Sequence, residues 1–263
     1  MEFIDMDSLR ARQAAIRADY QSKKPFRYVM FEGFFKPEQA AVLHDSYPTV
    51  EVGEWNGTTY VDQKNKFAKT TFDAGSLYDR AFKELNSPEF LGWLEAVTGI
   101  EELEGDPQLF GGGLHQSIHG AFLNVHVDYN FHPETKHHRR CNVLVYMNQQ
   151  WKDEYEGNLE LWNLEGGGME QLGKIAPLFN RCVIFETNEI SFHGHPKQLN
   201  TPEGMTRKSM ATYYYTPTRP AHELAGDHNT VYVNTEGATG QVKRFQSGVK
   251  AFLERINIGG DKK

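Results

Sequence analysis

Apolar side chains recur every three to four positions over residues 5–22 and 37–46, the period that lines one face of a helix. The second segment opens on Pro37, which suits a first helical turn, directly after the strand-like YVMFEGFF of residues 28–35. A third helical stretch, SLYDRAFKELNSPEFLGWLEAV, splits where Ser87 precedes Pro88, because a residue before proline avoids the helical region. The first hundred residues therefore read as mainly helix. From about residue 108 the texture changes to short, aromatic and β-branched runs separated by turn residues. QLFGGGLHQSI, AFLNVHVD, RCNVLVYMN, NLELWNL, KIAPLF, RCVIFET, SFHGHP and RKSMATYYYT are eight strand candidates. One more helix is expected near 240–256, and the glycines at 166–168 and the segment 197–206 read as loops. The pattern predicts an α+β protein, a double-sheet jelly roll packed on N-terminal helices. No linker or repeat divides it, so a single domain over 1–263 is expected, with a mainly helical flank (1–107), a jelly-roll core (108–217) and a C-terminal extension (218–263).

Composition narrows the function more than the fold. A chain of 263 residues can bury a large core without disulfides or structural metal, so a metal here would serve chemistry. No apolar run is long enough to span a bilayer, and the first twenty residues lack a hydrophobic signal core, so a cytoplasmic location with no membrane partner is expected. Cys141 and Cys182 lie in apolar strand-like runs and form no ligand pair, as reduced core residues do. A net charge of −7 disfavours a nucleic-acid partner, and the one basic cluster, KHHRR at 136–140, is too short for a phosphate track. That cluster reads as a solvated loop; lying between two strands, it could also line a mouth that attracts acidic molecules.

The stretch NVHVDYNFHP holds the candidate chemistry. His126 and Asp128 are two apart on a strand and so share a face, where an imidazole and a carboxylate can share one ion. A lone pair of this kind is as common at a surface strand end. It gains weight from His193 and His195 in SFHGHP, from Gly194 beside them, and from Arg207, which opens the next strand. Two histidines and a carboxylate with open positions form the facial triad of non-haem iron oxygenases, and a buried guanidinium offers a planar fork to a dicarboxylate. Asn130 and His132, also on the ligand face, read as pocket-rim or loop-ordering residues.

The ordered set H126-V-D128, RRCNVLVYMNQQW, GNLELW, PLFNRCVIFET, SFHGHP and R207-K-S-M resembles the prolyl 4-hydroxylase-like branch of the 2-oxoglutarate and Fe(II)-dependent oxygenases. The resemblance covers about residues 108–217. It implies a double-stranded β-helix core, with His126, Asp128 and His193 as iron ligands and catalytic centre. It also implies Arg207 and Tyr146 on the far carboxylate of 2-oxoglutarate, with Asn142, on the face of Tyr146, touching cosubstrate or substrate or serving as a core amide. His195 is the rival distal ligand, but family members place a glycine directly after that histidine, which favours His193. Where the branch has a Gly-Gly pair this chain has Glu156-Gly157-Asn158, and the loop before Arg207 is longer than in compact animal prolyl hydroxylases.

The implied cofactors are Fe(II), 2-oxoglutarate as cosubstrate and O2, and the implied reaction is hydroxylation of an unactivated C–H with release of succinate and carbon dioxide. Asp128 argues against halogenation, which needs the carboxylate's position for halide. Desaturation or cyclisation would use the same centre. A small molecule such as an amino acid or natural-product intermediate is the expected substrate; a prolyl residue in a peptide also fits. From a different class, a cupin-like metal-binding protein or isomerase would need no dicarboxylate clamp at Arg207.

Overall fold

A computed structural model describes residues 1–50, 55–60, 62–164 and 168–233. Helix α1 (Met6–Ser22) is capped by Asp5, whose carboxylate accepts from the Ser8 amide. Strand β1 (Tyr28–Glu32) leads into α2 (Pro37–Asp45), with Pro37 in its first turn. Helices α3 (Leu77–Leu85) and α4 (Pro88–Thr98) are separate, capped by Ser76 and Ser87, and α4 ends where Gly99 adopts a left-handed φ of 74°. The split at Ser87–Pro88 thus follows from proline geometry reinforced by a serine cap.

The region before residue 100 also contains a hairpin that the periodicity does not announce. Strands β2 (Asn56–Tyr60) and β3 (Gln63–Lys69) pair with each other, and β3 continues along β4 (Gly113–Val127). β4 fuses two of the strand candidates into one long strand, with Gly120 at positive φ inside it. Then follow β5 (His138–Tyr146), β6 (Leu159–Asn163), β7 (Glu170–Ile175), β8 (Arg181–Glu186), β9 (Phe192–His195), β10 (Arg207–Thr216) and β11 (Val231–Val233). Of KIAPLF only Lys174 and Ile175 are strand; β7 starts earlier and ends before Pro177. The basic KHHRR run is a loop only at Lys136 and His137; β5 begins at His138, and Arg139 and Arg140 are buried. The helix expected near 240–256 lies outside the described residues.

All pairings are antiparallel, in the order β1-β8-β5-β10-β4-β9-β6-β7, with β3 and β11 added on β4. The first part of β4 pairs with β10 and its end pairs with β9. That strand therefore joins the two walls of a jelly roll, and the site sits where it passes from one to the other. Alternation then sorts the side chains. Cys141, Val143, Val145, Cys182 and Ile184 join the helices in the main core, while Tyr146, Val183 and Phe185 face Leu159 and Leu161 of the opposite wall. Helix and sheet meet through Phe90, whose ring lies 5.6 Å from Phe34 and 6.2 Å from Tyr214. Both cysteines are free and buried, and burial pushes the Cys141 thiol up to about 12. No helix among the described residues is long and apolar enough to cross a membrane.

Candidate metal centre and cosubstrate pocket

His126 near the end of β4 stands directly opposite His193 on β9, so the two imidazoles are cross-strand neighbours with centroids 4.4 Å apart. Asp128, two residues beyond His126, completes a cluster whose ligand atoms all lie within 4.8 Å of one another. Each imidazole is oriented by its strand: Nδ1 of His126 donates to the Asn124 carbonyl at 2.8 Å and Nδ1 of His193 to the Ser191 carbonyl at 2.9 Å. Both Nε2 atoms are thereby left as lone-pair donors, 3.6 Å and 3.5 Å from the Asp128 carboxylate. Burial holds His193 down to about 4, so it is neutral at physiological pH.

Burial alone would raise the Asp128 carboxyl, but Arg139 and then the two imidazoles outweigh it and hold the group well below the usual carboxylate range. Its Oδ2 accepts from Asn142 Nδ2 at 2.8 Å and pairs with Arg139 Nη2 at 3.0 Å, leaving Oδ1 with capacity for an ion. Arg139 is 1% exposed, donates twice to Asn142 Oδ1, and lies 3.5 Å and 4.5 Å from the ring centroids of Tyr213 and Tyr129. The donor set fits a divalent metal: two imidazoles whose Nδ1 atoms are engaged by backbone carbonyls, and one ionised carboxylate, borderline ligands that suit iron.

Arg207 is buried at the start of β10, donating from Nε to the Gly157 carbonyl at 2.7 Å and from Nη2 to the Tyr146 hydroxyl at 3.2 Å. Gly157 is required there. Its φ is 71°, and an added Cβ would lie 2.3 Å from Leu199 and 3.1 Å from the Arg207 side chain. Glu156 is also at positive φ, so the Glu156-Gly157-Asn158 departure coincides with a sharp local turn.

The structure thus brings together His126, Asp128 and His193, and separately Arg207 with Tyr146. Asn142 touches the Asp128 carboxylate. His195 shares the inward face of β9 but stands outside the cluster. Asn130 orders the segment that leads into β11, donating to the Gly226 carbonyl and accepting from the His228 amide. His132 accepts the Glu134 and Thr135 amides within its own loop. One residue at the centre escaped the sequence: Arg139, hidden in a basic run. The one signal for Arg139 was the apolar alternation that continues directly from it. An open groove of about 460 Å³ has one wall of Phe110, Tyr129, Phe131 and Tyr232 and another of Asp227, His228, Asn229 and Thr230, and its Tyr232 ring lies 5.2 Å from that of His126.

A family model described as the 2OG-Fe(II) oxygenase superfamily matches residues 112–215. A prolyl 3-hydroxylase, OGFOD1, of Mus musculus is 27% identical over 144 residues, covering 53% of this chain and 24% of that protein. The chain thus spans about a quarter of the length of that curated relative. Among solved structures, a Pseudomonas putida prolyl-4-hydroxylase matches with TM-score 0.54 and 16% identity, covering 76% of this chain and 98% of the other. A prolyl 4-hydroxylase from Phytophthora capsici matches with TM-score 0.57 and 18% identity, covering 96% and 75% respectively. At such identities these structures speak for the fold, and the family match adds the ordered motifs. Over residues 112–215, about two fifths of its length, this chain is thus similar to the 2OG-Fe(II) oxygenase superfamily.

Proposed function

We propose that this chain is a 2-oxoglutarate- and Fe(II)-dependent dioxygenase that couples oxidative decarboxylation of the keto acid to hydroxylation of an unactivated C–H bond. The observation that carries this reading is His126, His193 and ionised Asp128 with their ligand atoms within 4.8 Å, inside the same barrel as the buried Arg207–Tyr146 pair. His126, Asp128 and His193 would hold the iron. Iron, when bound with 2-oxoglutarate, supplies the oxidising power that a side chain cannot. The chain's own residues do the rest. Arg207 retains Nη1 for a carboxylate and Tyr146 presents its hydroxyl to the same place, so the far end of 2-oxoglutarate is fixed by a charge-assisted fork. Arg139 and Asn142 hold the Asp128 carboxylate in one orientation and keep it ionised. The buried walls keep water from the reacting bond.

An amino acid or natural-product intermediate fits the buried centre. A prolyl residue in a peptide is the second reading, favoured by the open groove that reaches His126 through Tyr232, which can take an extended chain, and by the prolyl 3-hydroxylase relative. A screen of succinate release over amino acids, sugars, nucleosides and proline peptides, with Fe(II) and 2-oxoglutarate, tests both. The expected result is release stimulated by one class and abolished in His193→Ala. Absence of succinate under every condition, including slow substrate-free turnover, would favour a metal-binding or cupin-like protein instead.

A further inference from the structure

Ser117 on β4 pairs in register with Lys66 of β3 on one side and with Arg207 of β10 on the other. Directly opposed residues of antiparallel strands point to the same face. Arg207 points into the barrel, where it meets Gly157 and Tyr146, so Lys66 does too. Two strand spacings separate their backbones, about 10 Å, and the side chain between them is only a hydroxymethyl group.

The charges in this space do not balance. Asp128 is already paired with Arg139. Lys66 is partly buried and makes no ion pair or hydrogen bond with any carboxylate among the described residues. Burial pulls its ammonium down to about 8, with Asp128 opposing and Arg207 and Arg139 adding to the fall. Buried charges without partners are costly, so two inward cations flanking a small residue mark the seat of an anion. A further observation points the same way. His195 is 4% exposed, and its Nδ1 is buried with no hydrogen-bond partner. It lies on the inward face with His193, and Arg207 and Lys66 are the charges that act on it most strongly. Burial keeps it neutral, so it can donate one hydrogen bond without adding charge.

We propose that Lys66 is a second cation of the cosubstrate pocket, binding a dicarboxylate jointly with Arg207 across Ser117, with His195 donating a neutral hydrogen bond to the same ligand. Two cations and a neutral donor suit the far carboxylate of a dicarboxylic keto acid. This rests on the oxygenase reading and deepens it, since Lys66 belongs to none of the motifs that identify the family.

Calorimetric titration of the Mn(II)-loaded full chain with 2-oxoglutarate tests the proposal. Lys66→Met should weaken binding at least tenfold, Lys66→Arg should recover most of it, and Mn(II) affinity should stay within about twofold because Lys66 is not a ligand. A readout on the wild type guards against misfolded variants. At pH 8.5 binding should take up about three quarters of a proton, seen as a buffer-dependent enthalpy, because an anion restores the Lys66 charge. Lys66→Arg should abolish that uptake. Wild-type affinity in Lys66→Met, with no proton uptake by the wild type, overturns the role of Lys66; if Arg207→Ala still weakens binding, the oxygenase reading survives. Failure of the wild type to bind 2-oxoglutarate overturns both.

Discussion

Asn142 bridges the two charges of the centre, donating to Asp128 Oδ2 and accepting from Arg139 at 2.9 Å and 3.0 Å. A partner of this kind fixes a ligand's orientation, and its loss commonly costs 10–100-fold in metal affinity. Asn142→Ala should therefore weaken Mn(II) binding by about that factor while leaving the fold intact, measured by the free-ion signal in electron paramagnetic resonance. Unchanged affinity would make the amide a passive core group. The sequence reached Asn142 by alternation with Tyr146 but not its partner, because Asp128, just past the end of β4, meets β5 only through the closure of the barrel. His126 and Asp128 were legible, since residues two apart in extended chain share a face, and Asp128 keeps that spacing just past the end of β4. Arg139 was not legible, because a run of basic residues resembles a solvated loop until a buried carboxylate and two tyrosine rings are found around it.

The elements meet closely at one glycine. A Cβ on Gly194 would lie 2.8 Å from the carbonyl oxygens of both Leu123 and Asn124, so β9 can lie against β4 only with no side chain there. That contact brings His193 opposite His126. Gly194→Ala should push the strands apart, lower the midpoint of thermal unfolding by several degrees and weaken Mn(II) binding at least tenfold. Wild-type metal affinity in that variant would show that the two histidines need not be in register. Gly194 was noticeable in SFHGHP as a neighbour of the distal histidine, but its reason, a backbone approach from another strand, is a property of the pair. β4 carries a similar lesson. The QSIHGAF stretch looked like a break between two strands, yet Gly120 at a φ of 73° lets one strand continue through it. The β2–β3 hairpin was missed because NGTTY and QKNKFAK lack apolar alternation; most of β3 is only partly buried, and its inward member at the site is a lysine.

Across the whole molecule, the jelly roll was legible because its strands are short, aromatic and separated by turns, and the helices because their apolar period and their proline and serine boundaries agree. What stayed hidden is what only closure of the barrel creates: the pairing of Asp128 with Arg139, and the row Lys66–Ser117–Arg207. The central claim is that His126, Asp128 and His193 hold one iron on which 2-oxoglutarate can chelate. Anaerobic titration of the Fe(II)-loaded protein with 2-oxoglutarate, followed by its visible charge-transfer absorption, tests it most directly. The account predicts a saturable band at one keto acid per iron in the wild type and in His195→Ala, the latter with weakened affinity, and no band in His193→Ala or Asp128→Ala. A band that survives loss of His193 or Asp128, or none in the wild type, would contradict it.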